Sequence, residues 1–202
     1  MKRIGIMGGT FDPIHFGHLV TAEKVQEAFS LDEVVFVPSG NPPHKKNRKV
    51  TEATHRLNMV KLAIADHPGF SVSPIEINRK GYSYALDTVD AFRRIYGEDT
   101  KLFFITGADA ILEIATWHKA DELMAKCQFI AAARPGYHFD EAHTLPKAYQ
   151  DRIHIFRETA LAISSSRIRR LIGDGADVSD MLPQKVNTYI ETHNLYQKES
   201  YD

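Results

Sequence analysis

At 202 residues the chain is long enough to bury a full core in one domain without disulfides, and two domains would be cramped. Hydrophobic residues at 43% and charged residues at 25% are those of a globular protein, and no apolar run nears the ~18–20 residues that cross a bilayer, so no membrane span is expected. A net charge of −1 supplies no basic field for nucleic acid, and the one cysteine, Cys127, suits a reducing cytoplasm and a buried structural thiol.

Lys2-Arg3 is followed at once by Gly8 and Asp12 and not by an apolar leader core, so export is not expected. Residues 2–7 read as a short strand, and Leu19, Ala22, Val25 and Phe29 recur at helical spacing. Between them Gly8-Gly9-Thr10-Phe11-Asp12-Pro13-Ile14-His15-Phe16-Gly17-His18 is a strand-to-helix turn, with the helix expected to start near Gly17 or His18. Glycines at 8 and 9 relieve the backbone of a Cβ and let a ligand approach it closely. The helix start adds free N–H groups and a positive dipole end, which favour phosphate. His15 and His18, three apart, project to one side and can both donate to phosphate oxygens. The pattern is neither a Walker loop nor Gly-x-Gly-x-x-Gly. Two histidines without cysteine or carboxylate partners fall short of a closed zinc site.

Residues 33–38 read as a second strand closed by Pro38-Ser39-Gly40-Asn41-Pro42-Pro43, which makes a βαβ unit. Its right-handed crossover brings the loop carrying His44 and Lys45 to the edge beside the glycine turn. Thr54 is a candidate cap for a helix with Leu57, Val60 and Ile64 on one face, ending at His67-Pro68-Gly69. Residues 70–74 alternate as a third strand. Ala85, Val89, Phe92 and Tyr96 keep helical spacing up to Gly97, a C-cap.

Residues 101–107 are the strongest buried-strand candidate and end in Gly107-Ala108-Asp109. A carboxylate just past a central parallel strand is placed to accept from ribose hydroxyls, or to cap the next helix. Residues 121–126 read as helix, 129–133 as a fifth strand, 137–151 carry no readable pattern, and 153–156 form a last short strand. Three serines, 164–166, then open a helix running to Gly173, another anion-binding start, with Arg169 in its first turn or so. A cation there is disfavoured by the dipole unless a phosphate binds. Arg167 and Arg170 read equally well as a solvated face. Pro183 starts a last helix with Val186, Tyr189 and Ile190 inward and Asn194 at its end, and a polar tail covers about 197–202.

Five or six strands alternating with helices make an α/β, doubly wound, mostly parallel Rossmann-like sheet with helices on both faces, in one domain spanning 1–202. Its ligands belong at the strand C-terminal edge, where the two-histidine turn, the loop carrying Asp109 and Trp117, and the serine–arginine helix start all fall.

The turn, together with Ile163-Ser164-Ser165-Ser166-x-Ile168-Arg169, resembles the paired signature of the nucleotidyltransferase superfamily with the His-x-Gly-His motif. Within it, Pro42-Pro43-His44-Lys45, Ser83-Tyr84-x-x-Asp87-Thr88, Gly107-Ala108-Asp109 and Trp117-His118 resemble bacterial nicotinate-nucleotide adenylyltransferases, from residue 1 to about 196. The resemblance implies that ATP and nicotinate mononucleotide are the partners, joined by direct in-line attack without a covalent intermediate.

It further implies that Gly8, Gly9, Thr10 and Phe11 border the ATP, and that His15 and His18 hold its triphosphate with Arg169, Ser164 and Ser165. Gly107 and Asp109 then meet adenosine. On the mononucleotide side it implies Lys45 on the phosphate, Trp117 and His118 on the pyridine ring and Ala85 near the nicotinate carboxylate. Mg²⁺ comes with ATP through phosphates and water, with no protein metal site. A homo-oligomer is compatible with the resemblance. One departure is Ala85, where similar proteins often carry Thr, so that only a backbone amide is offered there. The alternatives are a pantetheine-phosphate adenylyltransferase, a related cytidylyltransferase, or a non-catalytic nucleotide sensor.

Overall fold

The computed structural model describes residues 1–41, 50–133, 145–157 and 161–197. Six parallel strands form one sheet: β1 (Arg3–Gly9), β2 (Glu33–Pro38), β3 (Phe70–Val72), β4 (Lys101–Gly107), β5 (Gln128–Ala132) and β6 (Ile153–Phe156). Their order is β3-β2-β1-β4-β5-β6. The chain therefore winds outward from β1 to β3, crosses back, and continues from β4 on the other flank of β1. The crevice at the C-terminal ends of β1 and β4 is the switch point where such sheets take their ligands. Register fixes its floor, because Met7 pairs with Ile105 and Gly9 with Pro38.

Among the described residues eight α-helices lie between or after the strands: α1 (Phe16–Ala28), α2 (Ala53–Ile64), α3 (Ala85–Tyr96), α4 (Ala108–Leu112), α5 (Ala120–Lys126), α6 (Lys147–Gln150), α7 (Ser165–Gly173) and α8 (Gln184–Thr192). The period-2 alternation of the strands sorts the core into two layers. Val34, Phe36, Phe103 and Ile105 pack with Leu19 and Val25 of α1, Met59 of α2, Ile168 of α7 and Val186 and Ile190 of α8. Val35, Val37, Leu102 and Phe104 pack on the opposite face with Val89 and Phe92 of α3, Ile111 of α4 and Leu123 of α5.

Several expected boundaries move. α1 begins at Phe16, with His15 as its extended N-cap. Thr54 lies inside α2, whose N-cap is Glu52, and the buried face is Arg56, Met59, Val60, Ala63 and Ile64, with Leu57 only partly covered. β3 stops at Val72, and the short helix α6 occupies part of the stretch that carries no readable pattern. Gly97 closes α3 at φ 89°, as expected, and Asn194 follows α8 at φ 50°.

Candidate functional site

The turn after β1 gets its shape from Phe11. Gly8 and Gly9 lie within β1, and neither has a positive φ; the left-handed residue is Phe11, at φ 51°. A bulky side chain there costs about 1–2 kcal/mol, and its ring is 2% exposed, tilted against Phe36 at 5.7 Å and edge-on to His18 at 5.1 Å. The glycine requirement is instead one of close approach, since a Cβ on Gly9 would stand 2.8 Å from the Phe11 ring.

His15 and His18 meet as the spacing predicts, with ring centroids 3.7 Å apart and planes 25° from parallel. The His15 N–H donates to His18 Nδ1 at 3.2 Å. A nitrogen that accepts cannot carry a proton, so the neutral His18 ring keeps its hydrogen on Nε2.

α7 is fastened to this turn. Ser165 Oγ donates to the Pro13 carbonyl at 2.9 Å, and Arg169 Nη1 donates to the Asp12 carbonyl at 2.6 Å. Ser164 caps the helix by accepting from the Arg167 N–H at 3.2 Å. Ser166 Oγ in turn accepts from Arg169 Nη2 at 3.5 Å, so all three serine hydroxyls are engaged in structure, and the first-turn amides other than that of Arg167 are the anion-directed groups. Arg169 is half-buried, while Arg167 and Arg170 are exposed.

Beneath the turn lies a residue that the sequence reading passed over, Arg56, 2% exposed. It donates from Nη1 to the Thr10 carbonyl and from Nε to the Thr51 carbonyl, both at 2.8 Å. Burial pushes its pKa down while the Asp12 carboxylate beside it pulls the other way. Arg56, Met59, Val60 and Ala63 share one helical face, so a lone charge at an apolar-spaced position was the signal.

On the other side of the sheet crest a pocket of about 390 Å³ opens between β1, β4 and the start of α3. Gly8, Gly9, Ser39, Phe104 and Thr106 form its floor, with Glu76, Ser83, Tyr84, Ala85, Trp117 and His118 around it. Trp117 presents its ring against the edges of Phe104 and Phe129 at 6.1 and 6.3 Å. His118 stacks on Tyr84 at 4.3 Å. The Trp117 backbone N–H is taken by the Ile114 carbonyl, and α3, whose first-turn amides have no intrahelical partner, opens beside the pocket at Ala85.

Glu76 is the second group missed. It is 7% exposed and accepts from Thr88 Oγ1 at 2.7 Å, with Ser83 and the Gly40 amide as further donors. Burial outweighs those bonds and the Arg79 charge, and raises its pKa. A carboxylate between Ile75 and Ile77 was the only hint in the sequence.

Gly107 caps α4, and Asp109 stands exposed in that helix's first turn, its Oδ1 folded back over Gly107. Extending the β1–β4 register puts Gly107 level with Gly9. Lys45, with the neighbouring Pro42, Pro43 and His44, lies outside the described residues, as does the tail beyond Gln197. Cys127 is buried, and burial pushes its thiol up to about 12, so it stays protonated at neutral pH. Among the described residues no three His, Cys, Asp or Glu side chains converge to hold a metal, and no helix is long and apolar enough to cross a membrane. Of the predicted residues, His15, His18, Ser164, Ser165 and Arg169 lie together in one half, and Ala85, Trp117 and His118 line the other. One offers imidazole, guanidinium and helix-start donors suited to phosphate; the other is a flat aromatic pocket with amides at its rim.

The cytidylyltransferase-like family model matches residues 6–171. A protein of Thermoanaerobacter sp. (strain X514) named "Probable nicotinate-nucleotide adenylyltransferase" is 52% identical over 201 residues, covering 98% of this chain and 95% of its own. One of the same name from Moorella thermoacetica is 52% identical over 198 residues, covering 96% and 91%. The fold matches that of Plasmodium falciparum nicotinic acid mononucleotide adenylyltransferase complexed with NaAD, with TM-score 0.81 at 23% identity over 97% of this chain and 98% of that one.

Proposed function

The chain belongs to the nicotinate-nucleotide adenylyltransferases of the cytidylyltransferase-like family, and from that premise we propose that it transfers the adenylyl group of ATP to nicotinate mononucleotide. The products are deamido-NAD and pyrophosphate. An oxygen of the mononucleotide phosphate forms a bond to the α-phosphorus as the bond from that phosphorus to the bridging oxygen breaks, and pyrophosphate leaves with the electron pair. The attacking phosphate is already ionised, so neither a protein nucleophile nor a general base is required, and positioning with charge neutralisation supplies the rate.

The observation that carries the reading is the bonding of α7 to the Asp12–Pro13 backbone beside the stacked histidine pair, next to an aromatic pocket. His18 donates from Nε2, with His15 beside it, to charge growing on the α-phosphoryl and leaving oxygens. Arg169 keeps further N–H groups for the outer phosphates beyond those it gives the Asp12 carbonyl and Ser166 Oγ, and the Ser164–Ser165 helix start adds its amides. Gly8 to Phe11 border the nucleotide, and Gly107 and Asp109 meet the adenosine.

In the pocket Trp117 and His118 take the pyridine ring, the α3 amide at Ala85 meets its carboxylate, and Lys45 meets the mononucleotide phosphate. Mg²⁺ would accompany ATP through its phosphates and water and would supply charge neutralisation for the leaving pyrophosphate. We place the activity in one domain, in the cytoplasm, consistent with a lone buried thiol.

The test is to incubate the protein with Mg-ATP and, separately, nicotinate mononucleotide, nicotinamide mononucleotide and phosphopantetheine, and to compare kcat/KM from pyrophosphate release. The nicotinate form is expected to lead. Turnover with phosphopantetheine alone would overturn the assignment.

A further inference from the structure

α8 ends in a Schellman motif. Asn194 takes the left-handed conformation at φ 50°, the Leu195 N–H returns to the Ile190 carbonyl at 3.0 Å, and the Asn194 N–H returns to that of Glu191 at 3.1 Å. The chain is thereby turned back toward the core, where Leu195 and Tyr196 pack on the helix layer that holds α1 and α7. Tyr196 is itself left-handed, at φ 67°. A bulky residue is held in that region only where its surroundings over-determine it.

What holds Tyr196 is the nucleotide turn. Its hydroxyl donates to Asp12 Oδ1 at 2.7 Å, 184 positions away in sequence, and touches Met59 Sδ at 4.0 Å. Burial and the Asp12 charge both raise the phenol's pKa, so it remains a donor. The other oxygen of Asp12 accepts from the Thr51 N–H at 3.3 Å, and the Asp12 carbonyl accepts from Arg169. Asp12 is thus gripped at its carboxylate by the C-terminal segment and at its backbone by α7. It follows the strained Phe11, whose ring abuts His18, and lies three residues before His15.

Resting on the adenylyl-transfer reading above, we propose that Tyr196 is a positioning residue of the reaction: through Asp12 it fixes the 10–13 turn and so the orientation and tautomer of the histidine pair. The C-terminal segment then serves the ATP half of the site without touching substrate, and the mononucleotide pocket on the other side of the sheet is independent of it.

Tyr196→Phe removes the hydroxyl and keeps the ring. The expected result is a folded protein whose kcat falls about tenfold, the loss that one hydrogen bond to a charged group transmits. The KM for mononucleotide should stay within about twofold. Imidazole ¹⁵N spectra should move His18 from a single Nε2–H tautomer toward a mixture. A double-mutant cycle with Asp12→Asn should show the two changes to be less than additive. Unchanged kcat together with unchanged His18 nitrogen shifts overturns the proposal, as does full additivity or an equal rise in both KM values. The nitrogen spectra need no turnover, so an unmodified protein inactive on nicotinate mononucleotide would sink the functional reading and leave this inference decided by the spectra.

Discussion

Imidazoles stacked at 3.7 Å divide the work between them. His15, 6% exposed, anchors the start of α1 and gives its N–H to its neighbour, whereas His18 is half-exposed and keeps its hydrogen on Nε2. Replacing His18 by Ala deletes that donor and little core, so we expect a normal thermal melt with kcat lowered by ~10²-fold or more, the usual cost of one donor to a transition-state oxyanion. Steady-state kinetics on a protein of native circular dichroism checks it, and near-normal turnover would move the catalytic donor elsewhere. The pairing of these rings was legible because i, i+3 spacing is a local rule. The left-handed Phe11 was not, since nothing in a phenylalanine side chain favours φ 51° and only the burial of its ring against Phe36 sustains it. Arg56 fell between, visible as a charge at an apolar spacing but with partners, the Thr10 and Thr51 carbonyls, that only the fold reveals.

Among the elements, the ends that sequence could read were those closed by their own chemistry. Ser164 accepts from Arg167 N, and Gly97 takes positive φ. α2, α3 and α8 start at Glu52, Tyr84 and Pro183 with no side-chain cap bond, so the expected cap at Thr54 was one turn-residue reading with no competitor to correct it. The start of α3 is held instead by tertiary bonds. Glu76 gathers Thr88 of α3, Ser83 before it and the Gly40 amide after β2, and Ser83 in turn accepts from the Asn41 N–H at 3.2 Å. Because burial raises the Glu76 pKa above its ordinary value, the folded state holds that proton more tightly than the unfolded chain does. The associated stability is complete below the unfolded carboxylate pKa and is lost as pH rises through the raised folded value. Glu76→Gln cannot ionise, so its melting temperature relative to the unmodified protein should climb as pH is taken from about 4 to 8. A difference that stays flat with pH would mean that Glu76 titrates alike in both states.

At the scale of the whole molecule, alternating strands and helices announced the parallel sheet, and the β3-β2-β1-β4-β5-β6 order puts its switch point beside the one glycine-histidine turn. What alternation does not reveal is which helix covers which face, and that assignment divides the site. α1, α7 and the C-terminal segment approach from one layer, carrying the histidines and Arg169, while α3 and the Trp117 segment approach from the other. Trp117 is the chain's single tryptophan, so its emission reports on the second layer alone. A pyridine ring stacked on the indole should quench that emission saturably when nicotinate mononucleotide is added by itself. A non-hydrolysable ATP analogue, which on the proposed function binds the turn and α7 across the crest, should leave it nearly unchanged and should not abolish the later quench. Each titration reads one half of the site, because the indole is separated from the histidine pair by β1 and β4. Quenching by the ATP analogue alone would put the adenine, and not the pyridine, in the aromatic pocket, and the two halves would have to exchange their substrates.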